Sequence, residues 1–287
     1  MKTEQIWTIF LALAISSPTL CENNQQIAHS ILDDVAQPSP RLDDPLAGSG
    51  TKLQITIDES WELDDVRKVS DTLYETANYI YSHLRNGPEF QIVVGHDNNL
   101  GPISRYRSND EDFDRVLLSN TPLEYRPQIM YQFSHEFCHV ISDFNRIRST
   151  ESKNEWFHEA LCELASIFVL HSTDEPELKS YIDDYLEESR EILSDIHDFG
   201  SWLLSNEDEL RAQVDGRLDR KSNAVIAYRL HPLFARHPGL WNTLWHLPKS
   251  NSKIAIYIAE WKQAIDEQDL HLLHKVEVRL LGEKEQL

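Results

Sequence analysis

Residues 127–144 read PQIMYQFSHEFCHVISDF and predict a helix that is apolar on almost every side. Pro127 suits a first helical turn, because the N–H that proline lacks has no partner inside the helix there. Apolar side chains follow at spacings of three and four residues, which covers nearly the whole circumference and predicts burial. These positions are Ile129, Met130, Phe133, Phe137, Val140, Ile141 and Phe144. We therefore expect other elements of the fold to cover this helix.

The same helix carries an HExxH motif, His135-Glu136-Phe137-Cys138-His139. The two histidines lie one turn apart on one face, so both imidazoles can reach one metal ion. Glu136 lies about 100° round the helix from His135. It can therefore stand beside the metal without binding it, where a general base is needed. The alternative is a core helix with two histidines that are satisfied by hydrogen bonds.

A second helix is predicted from Ser152 to His171, where Ser152 and Glu155 match a capping box. Glu155, Glu159 and Glu163 lie at i, i+4 and i+8 and form one stripe of carboxylates. Their mutual repulsion is unfavourable unless a cation is nearby. Two histidines and Glu159 would bind zinc and leave a coordination position open. A cap role explains Glu155, and the alternative for Glu159 is an ordinary surface acid.

The rest of the chain predicts an α+β fold. Residues 53–58 alternate as a strand, residues 60–85 are an amphipathic helix, and residues 91–94 and 114–119 are further strands. Beyond residue 172 the pattern is that of helices and connectors. The sequence thus indicates a small N-terminal β-sheet with helices packed against it, followed by a mostly helical C-terminal part. We expect the strand around Val116 to be an edge to which an extended peptide adds.

An HExxH motif with a glutamate on the next helix resembles the gluzincin metallopeptidases, most closely a peptidase MA-like domain. Nineteen residues lie between His139 and Glu159, which is close to the spacing in aminopeptidase-type gluzincins. The segment WFHEALCE, residues 156–163, looks like their W-L-N-E-G-x-A-E segment. His158 and Ala160 depart from that pattern, and no G-x-M-E-N segment comes before the HExxH motif. Aminopeptidase activity is therefore not implied.

The resemblance implies a zincin-like fold and a site for Zn²⁺. It makes Glu159 the third ligand, beside His135 and His139. Glu163 falls where the family has an acid that holds the first histidine and fixes its tautomer.

The implied activity is that of a zinc metallopeptidase acting on peptide or protein substrates. Zinc would activate a water, and Glu136 would be the general base. Related peptidases often use a tyrosine or histidine from the downstream helical part to stabilise the oxyanion. Tyr228 is the expected donor here, and His231 is the alternative. A core aromatic residue is the competing explanation of Tyr228.

The N-terminus predicts a secretory signal peptide over residues 1–21. Lys2 comes before an apolar run at residues 6–15, and Pro18 follows it. This run is too short for a membrane helix, which needs about 20 residues. We therefore expect a secreted or periplasmic protein with no stable membrane insertion after signal removal. An uncleaved anchor or a buried helix is the alternative.

The remaining chain divides by composition. Residues 22–50 are polar and rich in proline and glycine, which predicts a flexible leader or linker. Residues 51–172 would be the zincin-like catalytic core and residues 173–287 a helical C-terminal subdomain. Signal removal would leave two cysteines, Cys138 and Cys162, which either pair or stay as small buried residues. The sequence leaves both this question and the oligomeric state open.

Composition excludes several classes of protein. The chain has 287 residues, of which 40% are hydrophobic and 26% are charged, so it is not wholly disordered, collagenous or a polytopic membrane protein. A net charge of −21 argues against nucleic acid as a partner. A secreted zinc metallopeptidase is the leading hypothesis. The alternatives are a gluzincin-like zinc domain acting as a binding module or non-peptidase hydrolase, and a metal-free structural domain with a coincidental motif.

Overall fold

The computed structural model describes residues 53–61, 63–85, 89–97, 102–105, 113–119, 126–142, 153–212 and 220–282. The predicted signal peptide and leader lie outside these residues. All described residues belong to one unit, Ser39–Leu287.

A four-stranded sheet comes first. Its strands are β1 (Leu53–Ile57), β2 (Phe90–His96), β3 (Ile103–Arg105) and β4 (Asp114–Leu118), in the order β1-β2-β4-β3. The β1–β2 and β2–β4 pairs are parallel, with Leu53 opposite Phe90 and Ile92 opposite Asp114. β3 is antiparallel to β4, with Ile103 opposite Leu117. The three predicted strands are confirmed.

One prediction about this sheet is wrong. The sequence predicts an edge position for the strand around Val116, but β4 lies between β2 and β3. Among the described strands, β3 takes that edge position instead. β3 has only three residues, which is too short to show the alternation by which a strand is recognised in a sequence.

Helix α1 (Leu63–Tyr81) connects the parallel strands β1 and β2. Its apolar stripe is fully enclosed and includes Leu73, Ala77 and Ile80. The Tyr74 hydroxyl accepts a hydrogen bond from the backbone N–H of Ile55 at 3.1 Å, which fixes α1 to β1. The predicted amphipathic helix is confirmed.

Two buried helices follow the sheet. Helix α2 (Arg126–Ile141) packs against β3, β4 and α1, and its closest neighbour is helix α3 (Glu155–Ser172). α3 begins with Asn154 at its cap position, and the Asn154 side chain makes no cap hydrogen bond. Its amide instead donates to the backbone carbonyls of Ser250 and Ser252 at 3.1 and 3.0 Å. The predicted cap residue, Ser152, lies outside the described residues.

The described residues after α3 form only helical elements. They are α4 (Pro176–Tyr185), α5 (Glu187–Asp195), α6 (Phe199–Arg211), α7 (Arg220–Arg236), a 3₁₀ helix (Pro238–His246), α8 (Ile254–Ala264) and α9 (Glu267–Leu281). α7 packs along α3 and so encloses the second buried helix. The α+β class and the helical C-terminal part are therefore confirmed. No helix within the described ranges has the length and hydrophobicity that crossing a membrane requires.

Candidate metal centre

The two histidines of the motif share one face of α2, as their spacing predicts. Their rings are 5.0 Å apart between centroids and meet edge to face. The His135 side chain is 19% exposed and that of His139 is 6% exposed. Water can therefore reach the site from the side of His135, while His139 lies deeper.

Glu159 of α3 faces both histidines. One carboxylate oxygen lies 3.2 Å from Nε2 of His135 and the other lies 3.4 Å from Nε2 of His139. One ligand atom from each of these three residues, which we call the metal-binding group, lies within 4.8 Å of the others. Ligands held tetrahedrally at about 2.0–2.1 Å from zinc stand roughly 3.3–3.4 Å apart. The donor set of two imidazoles and one carboxylate therefore suits zinc in chemistry, and the two nitrogen–oxygen distances match the ligand separations of such a site.

Glu163 lies on the far side of the His135 ring. Its carboxylate is 3.9 Å from Nδ1 of His135, which is an ion-pair distance longer than a hydrogen bond. The Tyr131 hydroxyl donates to this carboxylate at 2.6 Å and lies 3.0 Å from the Tyr185 hydroxyl. Burial raises the pKa of Glu163, although the charge of His135 and the hydrogen bond from Tyr131 oppose this. Tyr131, which in turn contacts Tyr185, thus holds the acid that the resemblance places behind the first histidine.

The second histidine has a different partner. Nδ1 of His139 lies 3.3 Å from the Cys162 sulfur. Both residues are buried, with exposed fractions of 5% and 1%. Because Nε2 of His139 faces Glu159, metal binding there requires the hydrogen on Nδ1, which then donates to sulfur. Cys138 and Cys162 are both free thiols.

Electrostatics at the site are dominated by acids. Burial lowers the pKa of His135, but the hydrogen bond and charge of Glu159 and the charge of Glu136 outweigh it and raise this pKa to about 9. A positive charge on His135 is therefore favoured at neutral pH. Any metal that binds through Nε2 of His135 must displace that proton.

Glu136 is close enough for its charge to act on His135 and is not a member of the metal-binding group. Its side chain is buried, with 4% exposed, and it belongs to the same helical turn as His135. Glu155 is also buried, at the first residue of α3, and is outside the group. His158 points elsewhere, with Nε2 2.7 Å from the Tyr257 hydroxyl. Burial, together with the charge of His139, lowers the pKa of His158 to about 3, so this side chain stays neutral.

The structure does not bring Tyr228 or His231 to the metal-binding group. Tyr228 lies under the guanidinium of Arg190, 5.6 Å from the ring centroid. Nε2 of His231 lies 3.4 Å from Nδ1 of His171. His171 is twelve residues beyond Glu159 on α3, which corresponds to about 18 Å along a helix. Tyr228 and His231 therefore lie near the end of α3, whereas the metal-binding group lies near its start.

Four residues near the site are assigned no role in it from the sequence. Tyr131 is four residues before His135 on α2 and Cys162 is three residues after Glu159 on α3, so helical spacing could have indicated both. Tyr185 and Arg220 come from distant helices and leave no local signal. Burial lowers the pKa of Arg220, but Tyr131, Tyr185 and the acids Glu163 and Glu159 raise it. Arg220 thus contributes positive charge on the α7 side.

No family model, curated protein or solved structure matched the chain in the comparisons with known proteins.

The first prediction concerns the ligands. His135→Ala and His139→Ala should each abolish stoichiometric Zn²⁺ binding, and Glu159→Gln should weaken it far more than the matched change Glu155→Gln. Glu163→Gln should give an intermediate loss of about 10- to 100-fold, because it acts through His135. Competition with a chelating dye measures all five affinities. Equal losses at the three glutamates would contradict the assignment.

The second prediction concerns pH. His135 is protonated below a pKa of about 9, so Zn²⁺ must displace its proton at neutral pH. Apparent affinity should rise by about tenfold per pH unit between about pH 7 and pH 9, with release of about one proton per ion. Calorimetry in buffers of different ionisation enthalpy counts the protons. A constant affinity over this range would show that His135 is not a ligand.

The third prediction concerns Cys162. Cys162→Ala removes the sulfur that contacts His139 and should weaken Zn²⁺ binding by about 10- to 100-fold. Cys162→Ser should recover part of the loss, since a hydroxyl also accepts from Nδ1–H. Cys138→Ala is the matched control for loss of a buried thiol and should have a smaller effect. Equal losses in Cys162→Ala and Cys162→Ser would show that the sulfur serves only packing.

Proposed function

We propose that this chain is a zinc-dependent metallopeptidase of the gluzincin type, with a zincin-like fold. One observation carries the proposal: ligand atoms of His135, His139 and Glu159 converge within 4.8 Å, and Glu136 is close enough for its charge to act on His135. A site that only stores a metal has no need of a carboxylate in that position. The intact base therefore favours a hydrolase over a binding module.

His135, His139 and Glu159 are the residues that would hold the metal. When bound there, zinc would lower the pKa of a water molecule and polarise the carbonyl group of the substrate. Three protein ligands suit this chemistry, because catalytic zinc sites keep one position for water or substrate.

Glu136 is assigned the proton transfers. Its carboxylate accepts a proton from the attacking water and later returns it to the leaving amine nitrogen, so no proton is gained or lost overall. The side chain is only 4% exposed, which limits exchange of that proton with solvent. The carboxylate must be ionised at the start, and the charge of a bound zinc ion would favour this form.

The other neighbours of the site are positioning residues. Glu163 and Cys162 of α3 contact the Nδ1 sides of His135 and His139, which leaves both Nε2 atoms facing Glu159. Tyr131 holds Glu163 by two contacts of 2.8 and 2.6 Å. This arrangement favours one tautomer for each imidazole and keeps the ligand nitrogens at fixed separations.

A peptide substrate would bind along β3. This strand is at an edge of the described sheet and packs against α2, the helix that carries the motif. An edge strand offers unpaired main-chain groups, to which an extended peptide adds by backbone hydrogen bonds. The net charge of −21 favours peptide over nucleic acid as substrate. We further propose that the protein acts outside the cytoplasm, as secreted or periplasmic proteins do, on the basis of residues 1–21.

The fourth prediction tests the base. Glu136→Gln keeps the size of the side chain and removes its basicity. Zn²⁺ affinity and fold should be retained, while hydrolysis of a mixed peptide library should fall by at least about 100-fold. Glu155→Gln is the matched control, because it removes a buried carboxylate one turn before Glu159 and should keep most of the activity.

Two outcomes would change the assignment. Loss of zinc in Glu136→Gln would make Glu136 a ligand. A wild-type protein that binds one zinc ion and cleaves no peptide in the library would favour a zinc-binding module or a non-peptidase hydrolase. Mass spectrometry of the library separates these cases, because it detects cleavage at any peptide bond.

A further inference from the structure

Positively charged side chains of α7 and α9 gather on one surface of this acidic protein. On α9, His271, Lys275 and Arg279 lie at i, i+4 and i+8 and share one face. On α7, Arg229 and Arg236 lie two turns apart and also share a face. With His237, which follows α7, we call these six residues the cationic surface. Its permanent charges are those of Arg229, Arg236, Lys275 and Arg279.

The members of the cationic surface contact one another across the two helices. Nε of Arg229 donates to the backbone carbonyl of Arg279 at 3.2 Å, and Nε of Arg279 donates to the carbonyl of Arg229 at 2.8 Å. Nζ of Lys275 lies 2.9 Å from Nε2 of His237. These contacts show that the two stripes face each other. Both arginines are held through Nε, and their terminal guanidinium nitrogens donate to no other described residue. The guanidinium of Arg229 also lies over the Phe199 ring, 5.3 Å from its centroid.

None of the four arginine and lysine side chains of this surface forms an ion pair with a described residue. The contrast with other cations of the chain is clear, since Lys221 pairs with Glu188 at 2.5 Å and Lys262 pairs with Glu277 at 2.7 Å. Arg236 and Lys275 are exposed, so solvent reaches the surface. Within the described part of the chain, positive charge is therefore concentrated here without a paired counter-charge.

The repulsion between these groups is visible in their proton affinities. Burial, followed by the charge of Arg279, lowers the pKa of Arg229. Burial and then the charges of Lys275 and Arg236 lower the pKa of His237. Like charges at helical spacing destabilise a helix, so an anion bound between the stripes would relieve an unfavourable interaction.

We propose that the cationic surface binds a divalent oxyanion, namely a phosphate or sulfate group. Guanidinium groups match such tetrahedral oxyanions with paired N–H donors, and an ammonium group adds a point charge. A single carboxylate would neutralise only one of the four permanent cations. At physiological salt the Debye length is about 8 Å, so distant acids of the protein are screened and the local charge governs binding. The oxyanion is either free in solution or carried on a larger molecule.

The experiment compares two double variants of equal net charge. Arg236→Gln/Lys275→Gln removes two exposed cations of the surface. Lys221→Gln/Lys253→Gln is the matched control, because both lysines are exposed and paired, with Glu188 and Asp208. Calorimetry with sodium sulfate, sodium phosphate and heparin, a sulfated polysaccharide, measures binding to each protein.

The wild type and the control should bind at least one probe, and the surface variant should bind it at least about tenfold more weakly. Saturable binding of sulfate or phosphate indicates a free ion, whereas binding of heparin alone indicates a group carried on a polymer. Thermal unfolding gives a second measurement, since sulfate should raise the unfolding temperature of the wild type and not of the surface variant. The proposal is overturned if no probe binds the wild type or if the control loses as much affinity. The single variant Lys275→Gln repeats the test should the double variant misfold.

Discussion

The buried contact between α2 and α3 requires positive charge, and the arrangement of the site depends on that requirement. Glu136 and Glu163 are both less than 10% exposed, and Glu159 faces both histidines across this contact. Buried carboxylates are unfavourable unless a cation or hydrogen bonds compensate them. The pKa of His135, raised to about 9, shows that the acids favour a positive charge at this point. A metal ion that binds at Nε2 of His135 would therefore compete with this proton.

The packing of α3 against α2 determines the geometry of the ligand atoms. From α3, Glu159 faces the Nε2 atoms of both histidines, and Cys162 and Glu163 face their Nδ1 atoms. The three α3 residues lie at i, i+3 and i+4 and so project from one side of the helix. Any shift of α3 along α2 would move all three contacts together. The apolar packing around these helices thus fixes the separation of the ligand atoms.

Local periodicity accounts for the part of the fold and site that can be predicted. The i, i+4 spacing of the motif histidines and the carboxylate stripe on the next helix are enough to bring the metal-binding group together. The sequence could not show that Tyr228 lies away from the metal-binding group, because the register of α7 on α3 depends on tertiary packing. Arg220, at the start of α7, interacts with Glu163. His231, three residues beyond Tyr228, instead meets His171 near the end of α3.

The edge of the sheet is a second feature that the sequence does not show. β3 is too short to show alternation, so the pattern wrongly favours β4 as an edge. Side-chain packing sets the register between distant elements, and a local pattern does not encode it.

Helical spacing concentrates charge of one sign at two places in this chain, with different consequences. Three glutamates repeat every four residues on α3, and His271, Lys275 and Arg279 do so on α9. Two of these glutamates, Glu159 and Glu163, face the histidines of α2 in a contact where little water screens their charge. The basic stripe borders solvent, where water and salt already screen much of the repulsion. The same spacing therefore supports the two proposals in different ways: a stoichiometric metal ion would bind in the interior, and a salt-sensitive, exchangeable anion would bind at the surface.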